Sequence, residues 1–195
     1  MAKQKSNKQG ILRIIGGRWR GRKLAFPDTE GLRPTGDRVR ETLFNWLQPV
    51  LGCSRCLDCF AGSGALGLEA ASRGAESVVM VELDRQAAGA LQQNMDLLQA
   101  EQCQLNQEPV ERYLQSAQSG FDVVFLDPPY QLNLWSPVAF LLSERGLLNE
   151  GARIYIEYPR RQPQPDLPPD WHCLKEKQAG DVKYALFEFQ NGAGA

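Results

Sequence analysis

Apolar and polar residues alternate with a changing period along this chain, and each change of period marks an element. ILRII (11–15) and RKLAF (22–26) alternate with a period of about two, as half-buried strands do. Gly16, Gly17 and Gly21 between them predict a small β-hairpin. From Asp37 the period lengthens. Val39, Leu43, Phe44 and Leu47 recur at helical spacing, predicting a helix through about Gln48 with Asp37 as its N-cap. Short apolar runs then alternate with helical stretches: strand 55–60, helix 65–73, strand 77–83, helix 84–99, strand 103–107 and helix 109–117. Strand 121–127, a helix near 133–144 and strand 152–158 follow. A Pro-rich connection, PRRQPQPDLPPD, leads to two last strands, WHCLKEK and VKYALFEF, with Gly180 and Asp181 in the turn between them.

Strands that alternate with helices predict an α/β protein with a doubly wound, mostly parallel, Rossmann-like sheet of seven strands. The last two strands are joined by a turn alone and must pair antiparallel. The expected organisation is a basic disordered arm (1–10), a β-hairpin extension (11–36), one α/β domain (37–190) and a flexible tail (191–195).

Composition narrows the class. A chain of 195 residues with 43% hydrophobic and 23% charged residues suffices for one domain with a sizeable core. No apolar run approaches the roughly 20 residues of a membrane span, and MAKQKSNKQG lacks the apolar segment of a secretory signal. Five cysteines, an odd number, fit a reducing cytoplasm. Cys53, Cys56 and Cys59 are spaced C-x2-C-x2-C, but strand alternation points Cys56 and Cys59 to opposite faces, so they read as small core residues and no metal is expected. The single histidine, His172, falls in a late strand and is expected to pack or face solvent.

The net charge of −1 conceals an asymmetry: residues 1–40 carry +8 and residues 41–195 carry −9. A basic segment on an acidic body suggests an anionic partner. Arg18-Trp19-Arg20-Gly21-Arg22-Lys23 interleaves an aromatic ring with cations, a pattern suited to nucleic acid, in which Trp19 can stack on a base or pack under the hairpin. The hairpin is expected to project beside the active site.

Two stretches carry candidate chemistry. LDCFAGSGALGLEA (57–70) places Gly62, Gly64 and Gly67 as G-x-G-x-x-G between a strand and a helix, and Glu82 follows at the end of the next strand. Glycines let backbone approach a nucleotide-like ligand, and the acid can hold ribose hydroxyls. NAD and S-adenosylmethionine (AdoMet) both fit so far. AdoMet carries a sulfonium cation, and Asp58 near the strand end could face its methionine portion.

The second stretch, Asp127-Pro128-Pro129-Tyr130, ends the strand FDVVFLD on the same carboxyl edge. An exocyclic amine on a nucleobase is a poor nucleophile, because its lone pair is delocalised into the ring. Two acceptors on its N–H groups would help it pyramidalise. Asp127 supplies one and the Pro128 carbonyl can supply the other, stiffened by proline. Tyr130 can stack on the base. Hydride transfer needs none of this, so the pair of stretches favours AdoMet.

GLRPTGDRVRETLFNWL (31–47), with IIGGRWRGRKL (14–24), the glycine loop, the acid and D-P-P-Y, resembles the RsmD family of bacterial 16S ribosomal RNA guanine-N2 methyltransferases over nearly the whole chain. The resemblance implies a class I methyltransferase fold and methyl transfer from AdoMet to a guanine N2, leaving S-adenosylhomocysteine. It also implies a 16S rRNA partner within assembling small subunits, and a monomer is expected. Asp58, Phe60, Gly62, Ser63, Gly64, Glu82, Leu83, Glu108 and Asp127 are the expected cofactor residues. Glu108 stands where the family has Asn or Asp. Asp127, Pro128 and Tyr130 are the expected catalytic residues. Arg18, Trp19, Arg20, Arg22, Lys23, Arg33 and Arg38 are expected to meet RNA, with Thr35 in the same block and Arg160 and Arg161 as a second place to look. A DNA amino-methyltransferase, a protein-glutamine methyltransferase and a catalytically silent RNA-binding scaffold are the competing readings.

Overall fold

The computed structural model describes residues 9–27 and 36–191; Arg33, Thr35, most of the predicted basic arm and the last four residues lie outside the described residues. β1 (Gln9–Arg13) and β2 (Lys23–Pro27) form the expected antiparallel hairpin, and β1 takes in the last two residues assigned to the arm.

The main sheet holds β3 (Arg55–Asp58), β4 (Ser77–Val81), β5 (Cys103–Asn106), β6 (Phe121–Leu126), β7 (Leu148–Pro159), β8 (Trp171–Ala179) and β9 (Val182–Phe189). Its order is β5-β4-β3-β6-β7-β9-β8, and the sequence-based fold class is correct. β3 to β7 are parallel, while β9 pairs antiparallel with both β7 and β8. The chain steps outward from β3 to β5, then returns to the other side of β3 at β6. The switch point therefore lies between β3 and β6, where open α/β sheets bind ligands.

Helices α1 (Asp37–Leu51), α2 (Gly67–Ser72) and α3 (Arg85–Leu98) cover one face together with the hairpin. α4 (Val110–Ser116) and α5 (Trp135–Glu144) cover the other. Cys56 belongs to the first core and Cys59 to the second, as alternation requires, and all five cysteines are free.

Asp37 departs from its expected place. Gly36 occupies the N-cap position, with φ −56° and ψ 146°, and makes no side-chain cap. Asp37 is already helical, so its carboxylate turns outward to Arg40 at 2.7 Å and Arg13 at 3.4 Å. The helix also runs past Gln48, carrying Pro49 in its last turns.

The hairpin is locked to α2 by a buried acid. Glu69 is fully buried, and its two oxygens accept the backbone N–H groups of Ile15 at 2.8 Å and Gly16 at 2.7 Å. Arg73 pairs with it at 2.7 Å and the buried Arg40 at 3.5 Å. Ser72 completes the joint: its hydroxyl accepts from the Trp19 N–H at 2.9 Å and donates to the Gly16 carbonyl at 2.6 Å. A carboxylate with this many donors offsets its desolvation. Removing it would take the buried counter-ion from Arg40, at a cost of about 3–5 kcal/mol.

That joint sets the direction of the hairpin. α2 starts at the carboxyl edge after β3 and returns, so Ser72 and Arg73 lie at the amino edge of the sheet. The hairpin tip is bonded there, and Arg22 reaches the Leu97 carbonyl at the far end of α3 at 3.4 Å. The expectation that the tip projects beside the carboxyl edge is therefore corrected: Arg18, Arg20 and Arg22 stand at the opposite edge.

Candidate active site

A cavity of about 1200 Å³ opens at the carboxyl edge over the switch point. Ligand pockets commonly measure roughly 300–1,000 Å³, so this one has room for a cofactor and a nucleobase together.

The loop after β3 builds its floor. Gly64 has φ +80°, and a Cβ there would stand 2.5 Å from the Leu91 side chain, so only glycine suits the turn. A Cβ at Gly67 would meet the Met80 sulfur at 2.6 Å, so its absence lets α2 pack on β4. Two acids stitch the loop. Asp58, buried at the end of β3, accepts from the Gly67 N–H at 2.9 Å. Glu82, just beyond β4, accepts from the Gly62 N–H and the Asp84 N–H, each at 2.7 Å. Asp84 in turn caps α3, accepting from the N–H groups of Gln86 and Ala87.

These acids are electrostatically tense. Burial pushes the Asp58 carboxyl up to about 7, against the two backbone N–H groups of Gly67 and Phe60 that favour its charge. Burial also raises Glu82, again against backbone donors. A cation placed beside Asp58 would relieve that cost, which is the property AdoMet brings through its sulfonium and ammonium groups. Phe60, Ser63, Leu83 and Glu108 line the same half of the cavity, with Leu83 63% exposed and available to cover a flat ring. Glu108 pairs with Arg112 at 3.5 Å and is only partly exposed. The residues present therefore fit AdoMet.

The other half is built by the segment after β6. Asp127 is half-buried, Pro128 is buried, and both line the cavity. Tyr130 opens a short 3-10 turn, Tyr130–Leu132, and its ring lies 5.9 Å from that of Trp135. Its hydroxyl donates to Glu157 Oε1 at 3.1 Å. Burial, with the Glu157 and Asp127 carboxylates nearby, pushes the phenol pKa far up, so it stays a donor.

Glu157 is the site residue that sequence reasoning missed. It lies near the end of β7, 7% exposed, and its Oε2 accepts from the Tyr155 hydroxyl at 2.7 Å. The indole N–H of Trp135 donates to its backbone carbonyl at 2.7 Å. β6 and β7 pair Phe125 with Tyr155 and Leu126 with Ile156. Asp127 and Glu157 each follow that last pair by one residue, both line the cavity, and both carboxylates lie near enough to act on the Tyr130 and Tyr155 hydroxyls. A signal existed: a charged residue inside the apolar run IYIEY needs partners or a ligand once the strand is buried.

The expected RNA residues scatter. Trp19 is 5% exposed and packs in the core with Leu12, Ile14 and Leu24, so of the two expected roles it takes packing under the hairpin, and its place among the RNA-stacking residues is corrected. Arg18, Arg20, Arg22 and Lys23 are exposed on the hairpin. Arg38 is exposed in the first turn of α1, two residues from Gly36, which lines the cavity. Arg160 and Arg161 follow the cavity-lining Pro159. The Arg160 N–H donates to the Asp181 carbonyl at 2.8 Å, fixing the pair at the carboxyl edge.

A sheet in this order, with β9 inserted antiparallel, is the class I methyltransferase fold, and the acceptors at its switch point suit an amine. Comparison with known proteins agrees. The family described as Conserved hypothetical protein 95 matches residues 12–188. Ribosomal RNA small subunit methyltransferase D of Escherichia coli (strain K12) is 45% identical over 188 residues, covering 96% of this chain and 95% of its own. Its namesake from Haemophilus influenzae is 47% identical over 189 residues, covering 95% and 97%. The solved structure of yhhF from Escherichia coli superposes with a TM-score of 0.87 at 43% identity, covering 93% of this chain and 99% of that one. A Streptococcus mutans structure, at 15% identity and a TM-score of 0.72, shares the fold alone. The chain belongs to the family of ribosomal RNA small subunit methyltransferase D. Among the described residues no helix is long and apolar enough to cross a membrane.

Proposed function

We propose that this protein methylates the exocyclic N2 amine of one guanine in 16S ribosomal RNA, acting as a cytoplasmic monomer on assembling small subunits. The observation that carries the reading is the side-by-side placement of Asp127 and the glycine loop at one switch point, in a chain that belongs to this family. AdoMet, when bound, supplies an electrophilic methyl group.

The residues do the rest. Glu82 and Asp58 hold the glycine loop in the shape that a cofactor needs, and Glu82 presents acceptors toward a ribose. Asp127 accepts an N–H of the target amine and stabilises positive charge as it develops on nitrogen. The Pro128 carbonyl is the proposed second acceptor. The Tyr130 ring is held by its hydroxyl and offers a face on which a base can stack, worth about 1–3 kcal/mol.

The charged residues of the cavity lining are mostly acidic: Asp58, Glu82, Asp84, Glu108, Glu111, Asp127, Glu157 and Asp181, against one described cation, Arg85. Phosphates are repelled there, so only a flipped base enters and the backbone stays outside. Arg38, Arg160 and Arg161 are proposed to hold the phosphates nearest the target. The hairpin cations, and Arg33 outside the described residues, are proposed to meet RNA further away.

Labelled AdoMet offered with small subunits, large subunits and duplex DNA tests the assignment. Transfer to small-subunit RNA alone supports it. Transfer to DNA or to protein would favour the competing amine methyltransferases, and AdoMet binding without transfer to any of them would favour a silent scaffold.

A further inference from the structure

We infer that Glu157 is a specificity-determining residue: it accepts the N1–H of the target guanine while Asp127 engages the adjacent N2 amine. The inference rests on the guanine-N2 reading above and deepens it.

Three observations lead there. First, Glu157 and Asp127 both line the cavity, each one residue past the last β6–β7 pair, Leu126 with Ile156, and paired strands lie roughly 4.8 Å apart. Residues that follow matched positions of a parallel pair lie on the same face, so the two carboxylates border one side of the cavity and can converge on neighbouring N–H groups of one purine edge. Second, Glu157 does not wander. Tyr130 and Tyr155 each give it a hydroxyl hydrogen, at 3.1 Å and 2.7 Å, and Trp135 holds its backbone. Each carboxylate oxygen can accept more than one donor, so these bonds orient Glu157 without removing it as an acceptor. Third, the tyrosine that is proposed to stack on the base is also bonded to Glu157, so base plane and base edge are referred to one group.

The chemistry selects guanine. The guanine amine is flanked by N1–H, a donor. The adenine amine is flanked by a bare N1 lone pair, and so is the amine of 2-aminopurine. A fixed carboxylate beside Asp127 accepts the first and repels the other two. A buried site built to hydrogen-bond one group discriminates strongly against an analogue that lacks it.

The test uses the whole enzyme and small subunits reconstituted around 16S rRNA. The methylated nucleotide, once mapped, carries either guanosine or 2-aminopurine riboside. The wild type should methylate the guanosine substrate at least tenfold faster. In Glu157→Gln an amide N–H can donate to the bare N1, so the preference for guanosine should shrink by roughly tenfold or more. AdoMet affinity by calorimetry should stay near wild type, and the ratio of the two bases is a readout that a merely structural role for Glu157 would not move. A wild-type enzyme that accepts both bases equally would overturn the inference, and that comparison needs no variant. So would a Glu157→Gln enzyme that keeps the wild-type ratio. If the wild type methylates neither substrate, the guanine-N2 reading itself fails and this inference with it.

Discussion

The Glu82 carboxylate accepts the Gly62 N–H at 2.7 Å, joining the end of β4 to the glycine loop that follows β3. A residue expected only to hold a ribose is also a brace of the loop, and its second oxygen braces Asp84 at the start of α3. Glu82→Ala should therefore weaken AdoMet binding by more than the ribose hydrogen bond alone is worth. A loss of about 2–3 kcal/mol, or roughly 30- to 150-fold, is expected from a charge-assisted bond and a freed backbone donor. Calorimetry checks it, and a loss under threefold would leave the brace without consequence.

The raised pKa of Asp58 makes cofactor binding depend on pH. Its ordinary value of 3.8 is pushed up to about 7 by burial. A bound cation favours the carboxylate, so binding below that value releases a proton. AdoMet affinity should fall as pH drops below 7, by up to about tenfold per unit. The cofactor-free protein should behave in the opposite sense. Its folded state binds the Asp58 proton more tightly than the unfolded chain does, so this group's contribution to stability is complete below 3.8 and lost as pH rises to about 7. Calorimetry in buffers of different ionisation enthalpy would count the proton released. A pH-independent affinity between 5 and 8 would contradict the assignment of Asp58 to the cationic part of the ligand.

Asp127→Ala should lower turnover about a hundredfold, the usual consequence of removing one preorganised polar group aimed at developing charge, with AdoMet affinity largely intact. Tyr130→Phe removes the hydrogen bond to Glu157 but keeps the ring, so a loss of about 1 kcal/mol, or several-fold, is expected. Tyr130→Ala should be far worse. Single-turnover rates separate these effects from product release.

The glycine loop, Glu82 and D-P-P-Y could be read from the chain because each couples a short motif to a strand end, and strand ends follow from periodicity. The placement of the hairpin could not. It depends on Glu69, which sits in a helix whose sequence gives no hint that its acid is buried and aimed at the backbone of Ile15 and Gly16. The same limit hid the fate of Trp19: an aromatic between two arginines suggests a place for RNA to stack, but its turn is bonded to Ser72 of α2 and its ring packs into the core. Glu157 was missed because its partners, Tyr130 and Trp135, come from the segment after a different strand.

Glu69→Ala should destabilise the protein by about 3–5 kcal/mol, read as a shift in urea midpoint, because the Ile15 and Gly16 N–H groups lose their acceptor and the buried Arg40 loses one of its carboxylate partners. Ser72→Ala, which removes a neutral hydroxyl from the same joint, should cost about 1 kcal/mol. Equal effects would show that the charge in the joint is unimportant.

Charge reversal distinguishes the two basic regions. Arg160→Glu with Arg161→Glu, at the cavity edge, should weaken RNA binding and flatten its salt dependence by roughly 0.7 log units for each phosphate no longer neutralised. Arg20→Glu with Arg22→Glu, at the opposite edge, should do less. Filter binding across a salt series decides, and the reverse ranking would place the target strand over the hairpin.

Small subunits from cells lacking this gene, incubated with the protein and labelled AdoMet, then digested and resolved by nucleoside mass spectrometry, test the central claim most directly. The account predicts one N2-methylguanosine per 16S rRNA and no other labelled nucleoside. Label on an adenosine or cytidine amine, on a guanine ring nitrogen or on a ribose would contradict it.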